Sequence, residues 1–149
     1  MPNLIKKFPK LKLIITGGGF YKRYPWLINK GIVKKKKLYD LIYNSKCMCV
    51  PLKFGSGTRI KILEALTLGA IVVSTSKGIE GIELLKKNPP FISNDKKSFV
   101  NTLSKILKNQ KKLKKRAIVN SHIYKKKYSM KKITHMFIVK YLQKYLNEY

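Results

Sequence analysis

Apolar residues in the first two thirds of the chain alternate between short continuous runs and runs with helical spacing. Short apolar runs bounded by Gly or Pro are typical of buried strands, and apolar residues three and four positions apart are typical of amphipathic helices. The pattern predicts strands at residues 11–16, 31–33, 46–51, 70–75 and 91–92. It predicts helices at residues 21–30, 36–44 and 58–68, the first interrupted by Pro25. This alternation predicts an α/β fold, a Rossmann-like parallel sheet flanked by helices.

The last third of the chain has helical spacing throughout. Helices are predicted at residues 96–108, at 110 to about 126 and at 129–146, with Asp95 as the N-cap of the first. Gly69 is suited to end the helix at 58–68 in a left-handed conformation, and residues 78–85 are predicted to form a loop. A chain of 149 residues fits one domain, here with a C-terminal helical extension.

The chain carries a formal net charge of +28 from 34 basic and 6 acidic residues. Of the basic residues, 31 are Lys and three are Arg, whereas proteins that recognise nucleic acids depend on Arg for bidentate contacts. We therefore favour compositional drift in an AT-rich genome as the origin of the charge. Attraction to anionic membranes and binding to nucleic acid stay open as alternatives, and no specific nucleic-acid partner is expected.

No apolar run approaches the roughly 18 residues of a membrane span, and residues 1–12 do not resemble a signal peptide. The expected location is the cytoplasm, with peripheral attraction to the inner face of the membrane as the alternative. Cys47 and Cys49 alternate with an apolar residue in a predicted strand, which favours core thiols on one face. His122 and His135 have no Cys or carboxylate beside them, so no metal site is predicted.

A Gly-rich turn between the predicted strand at 46–51 and the helix at 58–68 has the features of a phosphate site. Gly55 and Gly57 allow a ligand to approach the backbone closely, and the following helix presents free N–H groups and a positive dipole end. Thr58, Arg59 and Lys61 add a hydroxyl and two cations at that end. The alternative is a turn that only begins a helix.

Glu64 is one of the six acidic residues and lies within two helical turns of this phosphate-type N-terminus. Ile62 and Leu66 share the apolar face of the helix, and Glu64 is roughly opposite to them. A carboxylate at this distance from a diphosphate could accept hydrogen bonds from the two hydroxyls of a ribose. The alternative is an exposed Glu that pairs with Lys61 or another Lys.

The segment GSGTRIKILEALTLGAIVVSTSKGIEGIEL resembles, almost continuously, the signature of retaining glycosyltransferases with the GT-B fold, glycosyltransferase family four or "group one". The similarity extends to LKLIITGGG and to GIVKKKKLYDLIYNSKCMCVP before the signature, and covers roughly residues 11–128. The resemblance is to the C-terminal half of such enzymes. It implies transfer of a glycosyl group from a nucleotide sugar to an acceptor with retention, and no cofactor or metal beyond the nucleotide-sugar donor.

The resemblance also implies roles for individual residues. Glu64 occupies the position of the glutamate that binds the nucleotide ribose. Gly57 and Thr58 occupy the turn whose amides contact the diphosphate and the donor sugar. Ile32 and Val33 fall where the backbone contacts the base.

Two further positions belong to the same implied site. Ser56 stands where many members of the family carry another glutamate, and its hydroxyl is suited to bind a phosphate or a sugar hydroxyl. Arg59 is common in members with this form of the turn and is assigned a role at the phosphate or at the helix start.

The acceptor-binding N-terminal half of the family has no counterpart in the sequence. Residues 1–128 are expected to form the nucleotide-sugar-binding domain, and residues 129–149 a helix that packs on a missing or separate N-terminal half. The chain alone is then expected to be inactive. The alternatives are a non-catalytic nucleotide-binding fragment or split subunit and, less favoured, a basic nucleic-acid-binding protein. The sequence does not identify the nucleotide, the sugar or the acceptor.

Overall fold

A computed structural model describes residues 2–19, 22–55, 59–87 and 89–129 of the chain. Except between the first two strands, helices and strands alternate along the described residues up to the fifth strand, and two long helices follow. In chain order the elements are α1 (Pro2–Lys7), β1 (Leu13–Ile15), β2 (Leu27–Asn29), α2 (Lys35–Asn44), β3 (Met48–Val50), α3 (Ile60–Thr67), β4 (Val72–Ser74), α4 (Ser76–Ile79), β5 (Phe91–Ile92), α5 (Lys96–Lys108) and α6 (Gln110–Lys127).

The strands form two parallel sheets, β1–β2 and β3–β4–β5. Leu13 pairs with Leu27 in the first sheet, and Cys49 pairs with Val73, and Val73 with Phe91, in the second. Helix α3 makes the crossover between β3 and β4, as parallel neighbours require. The predicted α/β class with helix-flanked parallel sheets is confirmed.

Strand β4 is buried on both faces and separates two apolar clusters. Val72 contributes to a cluster with residues of α2, α3 and α6, including Ile42, Ile62 and Tyr124. On the other face, Val73 contributes to a cluster with residues of α1 and α5. This arrangement follows from the alternation of side chains along a strand and explains why the run at 70–75 is continuously apolar.

Helix α1 was not expected from the sequence. Pro2 stands at its first position, where a missing N–H costs nothing. Leu4 is 1% exposed and packs in the cluster on the α5 side of β4, with Phe8 beside it. The Leu4 and Phe8 spacing of four positions is a helical signal, but it is too short to predict a helix by itself.

The prediction for residues 21–33 was wrong. Of the helix predicted at 21–30, Tyr21 lies outside the described residues, residues 22–26 are not helical, and Leu27–Asn29 is strand β2. Pro25 disfavours a helical conformation in the residue before it, and the backbone that follows pairs with β1 instead. Residues 31–33 are no strand, since Ile32 lies in a loop and is 89% exposed.

The other elements predicted within the described residues are present, and three of the strands are shorter than predicted. Helix α5 has the predicted bounds, and Asp95 caps it: its carboxylate accepts a hydrogen bond from Ser98 N at 2.9 Å. This contact lowers the pKa of Asp95, because it stabilises the charged carboxylate. Gly69 has φ +70° after α3, as expected. The loop predicted at 78–85 begins within the short helix α4, and the helix predicted at 129–146 lies outside the described residues beyond Ser129.

The two cysteines lie on one face, as predicted, with their Sγ atoms 4.0 Å apart and no disulfide between them. Both are half-buried and pack against the cluster of α1 and α5. The hydrogen bond with Cys49 and the burial of Cys47 raise the pKa of the Cys47 thiol. The same hydrogen bond lowers the pKa of Cys49. The pair packs in the core and is not joined by a disulfide.

Candidate functional site

Side-chain hydrogen bonds connect the loops that follow the three strands of the larger sheet. Thr75, which follows β4, donates its hydroxyl hydrogen to the Leu52 carbonyl after β3. Asn94, which follows β5, accepts a hydrogen bond from Ser76 N at 2.8 Å and donates one to Ser76 Oγ at 3.0 Å. The carboxyl edge of this sheet is therefore a connected polar surface, the place where open parallel sheets bind ligands.

A cavity of about 200 Å³ opens at this edge. Its lining includes Leu52, Thr75 and Asn94 from the linked loops, together with two cations, Lys53 and Lys77. A larger apolar cavity of about 370 Å³ lies at the opposite, amino end of β4 and β5, against α6. The small cavity holds the polar groups, so we regard it and its surroundings as the candidate site.

The Gly-rich turn lies directly beside this edge, between β3 and α3. Gly55 has φ +118°, a conformation that favours glycine. A Cβ at Gly55 would lie 2.9 Å from Nη2 of Arg59, so the guanidinium is folded back over the turn. The predicted site residues Ser56, Gly57 and Thr58 lie outside the described residues.

Arg59 stands at the N-cap position of helix α3, and its side chain makes no capping hydrogen bond. The positive charge of Arg59 acts on Glu80, which follows β4 and pairs with Lys77 at 2.6 Å. Lys77, and to a smaller extent Arg59, lowers the pKa of Glu80. Arg59, Lys77 and the helix dipole thus make this end of α3 electropositive, which suits an anion.

Glu64 lies on α3, half-buried and one turn after its N-terminus. Its Oε1 accepts a hydrogen bond of 2.7 Å from the hydroxyl of Tyr39 on α2. Among the described residues the carboxylates in ion pairs are those of Glu80 and Glu83, and Lys61 makes no ion pair with Glu64. The interpretation of Glu64 as a solvated partner of Lys61 therefore does not describe its surroundings.

The loops after β1 and β2 also contact each other. Gly17 N donates to Gly31 O at 2.7 Å, and Gly31 adopts φ +59°. Ile32 is strongly exposed and Val33 half-buried in the loop that leads into α2. Helix α2 follows these two residues and contains Tyr39, whose hydroxyl contacts Glu64 on α3. The segment after Ile32 and Val33 therefore packs against α3.

Arg59 and Glu64 thus lie near each other at the start of α3. Helix α3 in turn contacts α2, the helix that follows Ile32 and Val33. Neither Tyr39 nor the Ser76–Asn94 contact was predicted from the sequence. Tyr39 directly follows Leu38, which packs against the core. Its neighbours in the sequence do not distinguish it from an ordinary surface tyrosine. The signal for Asn94 was its place directly after a strand, at the edge where ligands bind.

The described residues contain no group of three or more His, Cys, Asp and Glu side chains that could hold a metal ion. Within the same residues, no helix is long and apolar enough to cross a bilayer.

Comparison of the chain with known proteins identifies its family. No curated protein matches the chain. The family model described as glycosyl transferases group 1 matches residues 1–109, which include the linked loops, the Gly-rich turn and Glu64. The description of the family names glycosyl transfer as the activity of its members. The chain belongs to the group 1 glycosyltransferases.

Proposed function

We propose that the chain is the donor-binding half of a retaining GT-B glycosyltransferase of family four, which transfers a sugar from a nucleotide sugar to an acceptor. The observation that carries the proposal is the half-buried carboxylate of Glu64, one turn into a helix whose N-terminus follows a Gly-rich turn. This combination offers one place for a diphosphate and, beside it, one acceptor for a ribose diol.

The diphosphate is assigned to the N-terminus of α3. Arg59 beside Gly55 supports this assignment, as do Lys53 and Lys77 at the adjacent cavity. Backbone amides of Ser56, Gly57 and Thr58 are proposed to complete the phosphate contacts. Stabilisation of the departing diphosphate by these cations and amides would then be the main catalytic contribution of this half.

The nucleoside is assigned to the side of α3 that faces α2. Glu64 is proposed to accept hydrogen bonds from the ribose, and the backbone at Ile32 and Val33 to contact the base. The contact between Tyr39 and Glu64 supports this proposal, because it holds α2, the helix after those two residues, against α3.

The acceptor is proposed to bind to a separate N-terminal half, which would close the cleft over the donor. Without that half the reacting groups lack the proximity that makes transfer fast. The described chain is therefore expected to bind nucleoside diphosphates weakly and to transfer no sugar on its own.

Calorimetric titration of the chain with ADP, GDP and UDP tests the assignment of Glu64. Substitution Glu64→Gln should weaken the best of these ligands about tenfold or more, since hydrogen bonds to a charged acceptor are the stronger ones. Glu83→Gln is the matched control, because Glu83 is an exposed carboxylate that pairs with Lys127 away from the turn. Equal binding by the wild-type and Glu64→Gln proteins would refute the role of Glu64.

Turnover tests the proposal of a half-enzyme separately. The chain is incubated with nucleoside diphosphate sugars and a panel of hydroxylated acceptors, and the release of nucleoside diphosphate is measured. We expect no release above the uncatalysed rate. Sustained release that Glu64→Gln abolishes would show that the chain needs no partner half.

A further inference from the structure

The contact between Tyr39 and Glu64 joins two helices whose remaining contacts are apolar. Leu38 and Ile42 of α2 pack into the same cluster as Ile62 and Leu66 of α3. At the margin of this apolar contact, the Tyr39 hydroxyl donates to Glu64 Oε1 at 2.7 Å, across 25 positions of sequence. Both side chains are half-buried, so the hydrogen bond is partly protected from water.

The tyrosine is itself held in place. The Nζ of Lys35, the first residue of α2, lies 5.5 Å from the centre of the Tyr39 ring. A cation over the ring face restrains the ring, and the helix backbone fixes its base. The hydroxyl thus reaches Glu64 from a side chain with little freedom.

A neutral donor is an unusual partner for a carboxylate in so basic a chain. Glu80 and Glu83 pair with lysines, and Asp95 caps a helix. Glu64, by contrast, is bound through one oxygen to a hydroxyl, and its Oε2 accepts no hydrogen bond from the described residues. The contact therefore fixes the direction of the carboxylate and leaves its full negative charge and one oxygen for another donor.

We propose that Tyr39 is a positioning residue that orients Glu64 Oε2 toward the ribose hydroxyls of the bound nucleotide. This inference rests on the proposed function, in which Glu64 binds the ribose. Tyr39 does not touch the ligand. It removes the rotational freedom that a Glu side chain would otherwise lose when the nucleotide binds.

The test compares ribose with a sugar that lacks the diol. The full chain is titrated with ADP, GDP and UDP and with their 2′,3′-dideoxy analogues. For the best-bound base, the dissociation constant of the dideoxy analogue is divided by that of the ribonucleotide. Tyr39→Phe should weaken the ribonucleotide about fivefold, the effect of one hydrogen bond, and leave the dideoxy analogue unchanged. The ratio therefore falls by the same factor.

Tyr43→Phe is the matched control, because Tyr43 lies one turn further along α2 and its ring, half-exposed, contacts Lys114. It should keep the wild-type ratio. A general loss of folded protein in Tyr39→Phe would affect both ligands equally and cancel in the ratio, so the result stays readable even if that variant is less stable.

The outcomes separate the inference from the function on which it rests. If Tyr39→Phe keeps the wild-type ratio while Glu64→Gln lowers the ratio toward one, the positioning role is overturned and the ribose role of Glu64 is kept. A wild-type protein that does not distinguish ribose from dideoxyribose, or that binds none of the nucleotides, overturns both. A reduced ratio in both variants, with Tyr43→Phe unchanged, supports both.

Discussion

At the scale of single residues, Gly78 in α4 is the most closely packed of the described glycines. A Cβ at this position would overlap Ser74 Oγ and lie 3.0 Å from the carbonyl oxygen of Val50. Both neighbours belong to the larger sheet, with Ser74 fully buried and Val50 half-buried, and Ser74 Oγ already donates to Val50 O. The absence of a side chain therefore lets the loop after β4 lie directly on the ends of β3 and β4.

Substitution Gly78→Ala should destabilise the fold by about 1–3 kcal/mol, because an added methyl group in a filled space forces backbone or side-chain shifts. The measurement is the free energy of unfolding in urea. Gly18→Ala is the control, since a Cβ at Gly18 meets nothing within 4 Å. Equal stability of Gly78→Ala and the wild-type protein would mean that the loop can move away from the sheet.

The residues that sequence analysis identified correctly are those whose role is local. Asp95 precedes a helix and can reach Ser98 three positions later, so its capping role depends on neighbouring residues alone. Tyr39 and Asn94 depend on partners 25 and 18 positions away, which come within reach only after the strands have paired. Site residues of this second kind need the tertiary fold to be found.

At the scale of elements, α5 and α6 differ in how their ends suit the helix dipole. Helix α5 begins with the carboxylate of Asp95. Helix α6 has no acidic residue in its first turn, which instead contains the exposed Lys111 and Lys112, and it has no side-chain cap. Cations at a helix N-terminus are unfavourable, and those in its last turn are favourable.

Replacing both Lys111 and Lys112 by Glu should stabilise the protein by about 0.5–2 kcal/mol at low salt, because each change favours the dipole as well as lowering the net charge. The control replaces Lys125 and Lys126, exposed in the last turn, and lowers the net charge equally while opposing the dipole. Urea unfolding of the two double variants should show the first to be the more stable. Equal stabilities would assign the whole effect to net charge.

Element prediction succeeded for the long helices and for β1, β3, β4 and β5, and it failed for residues 21–33, which contain β2. The ten residues of α2 and the thirteen of α5 give several turns of consistent periodicity. Strand β2 has three residues, and its assignment depends on pairing with Leu13 in a distant strand rather than on its own pattern. Tertiary pairing decided between a helix and a strand there, as it commonly does for short apolar runs.

At the scale of the whole molecule, the charge of +28 is the dominant electrostatic feature. Such a charge attracts any polyanion and repels like charge within the fold. Four of the five carboxylates in the described part of the chain make specific contacts: Glu80 and Glu83 pair with lysines, Asp95 caps α5 and Glu64 contacts Tyr39. We interpret the excess of lysine as unspecific, in keeping with compositional drift.

Binding to duplex DNA is therefore expected to be independent of sequence and to weaken by about 10³-fold or more between ~50 and ~200 mM salt, as counterion release dictates for several phosphate contacts. Fluorescence anisotropy with two duplexes of unrelated sequence measures both properties. Tight and sequence-selective binding at the higher salt concentration would favour a nucleic-acid-binding function over the proposed one.

The burial of β4 on both faces has a consequence for how the protein unfolds. Val72 belongs to one apolar cluster and Val73 to the other, so loss of either cluster exposes one side of the same strand. The two layers cannot separate from each other while β4 stays in place. The strand thus makes the layers a single cooperative unit, in which the amide protons of Val72 and Val73 exchange with solvent only when the whole sheet opens.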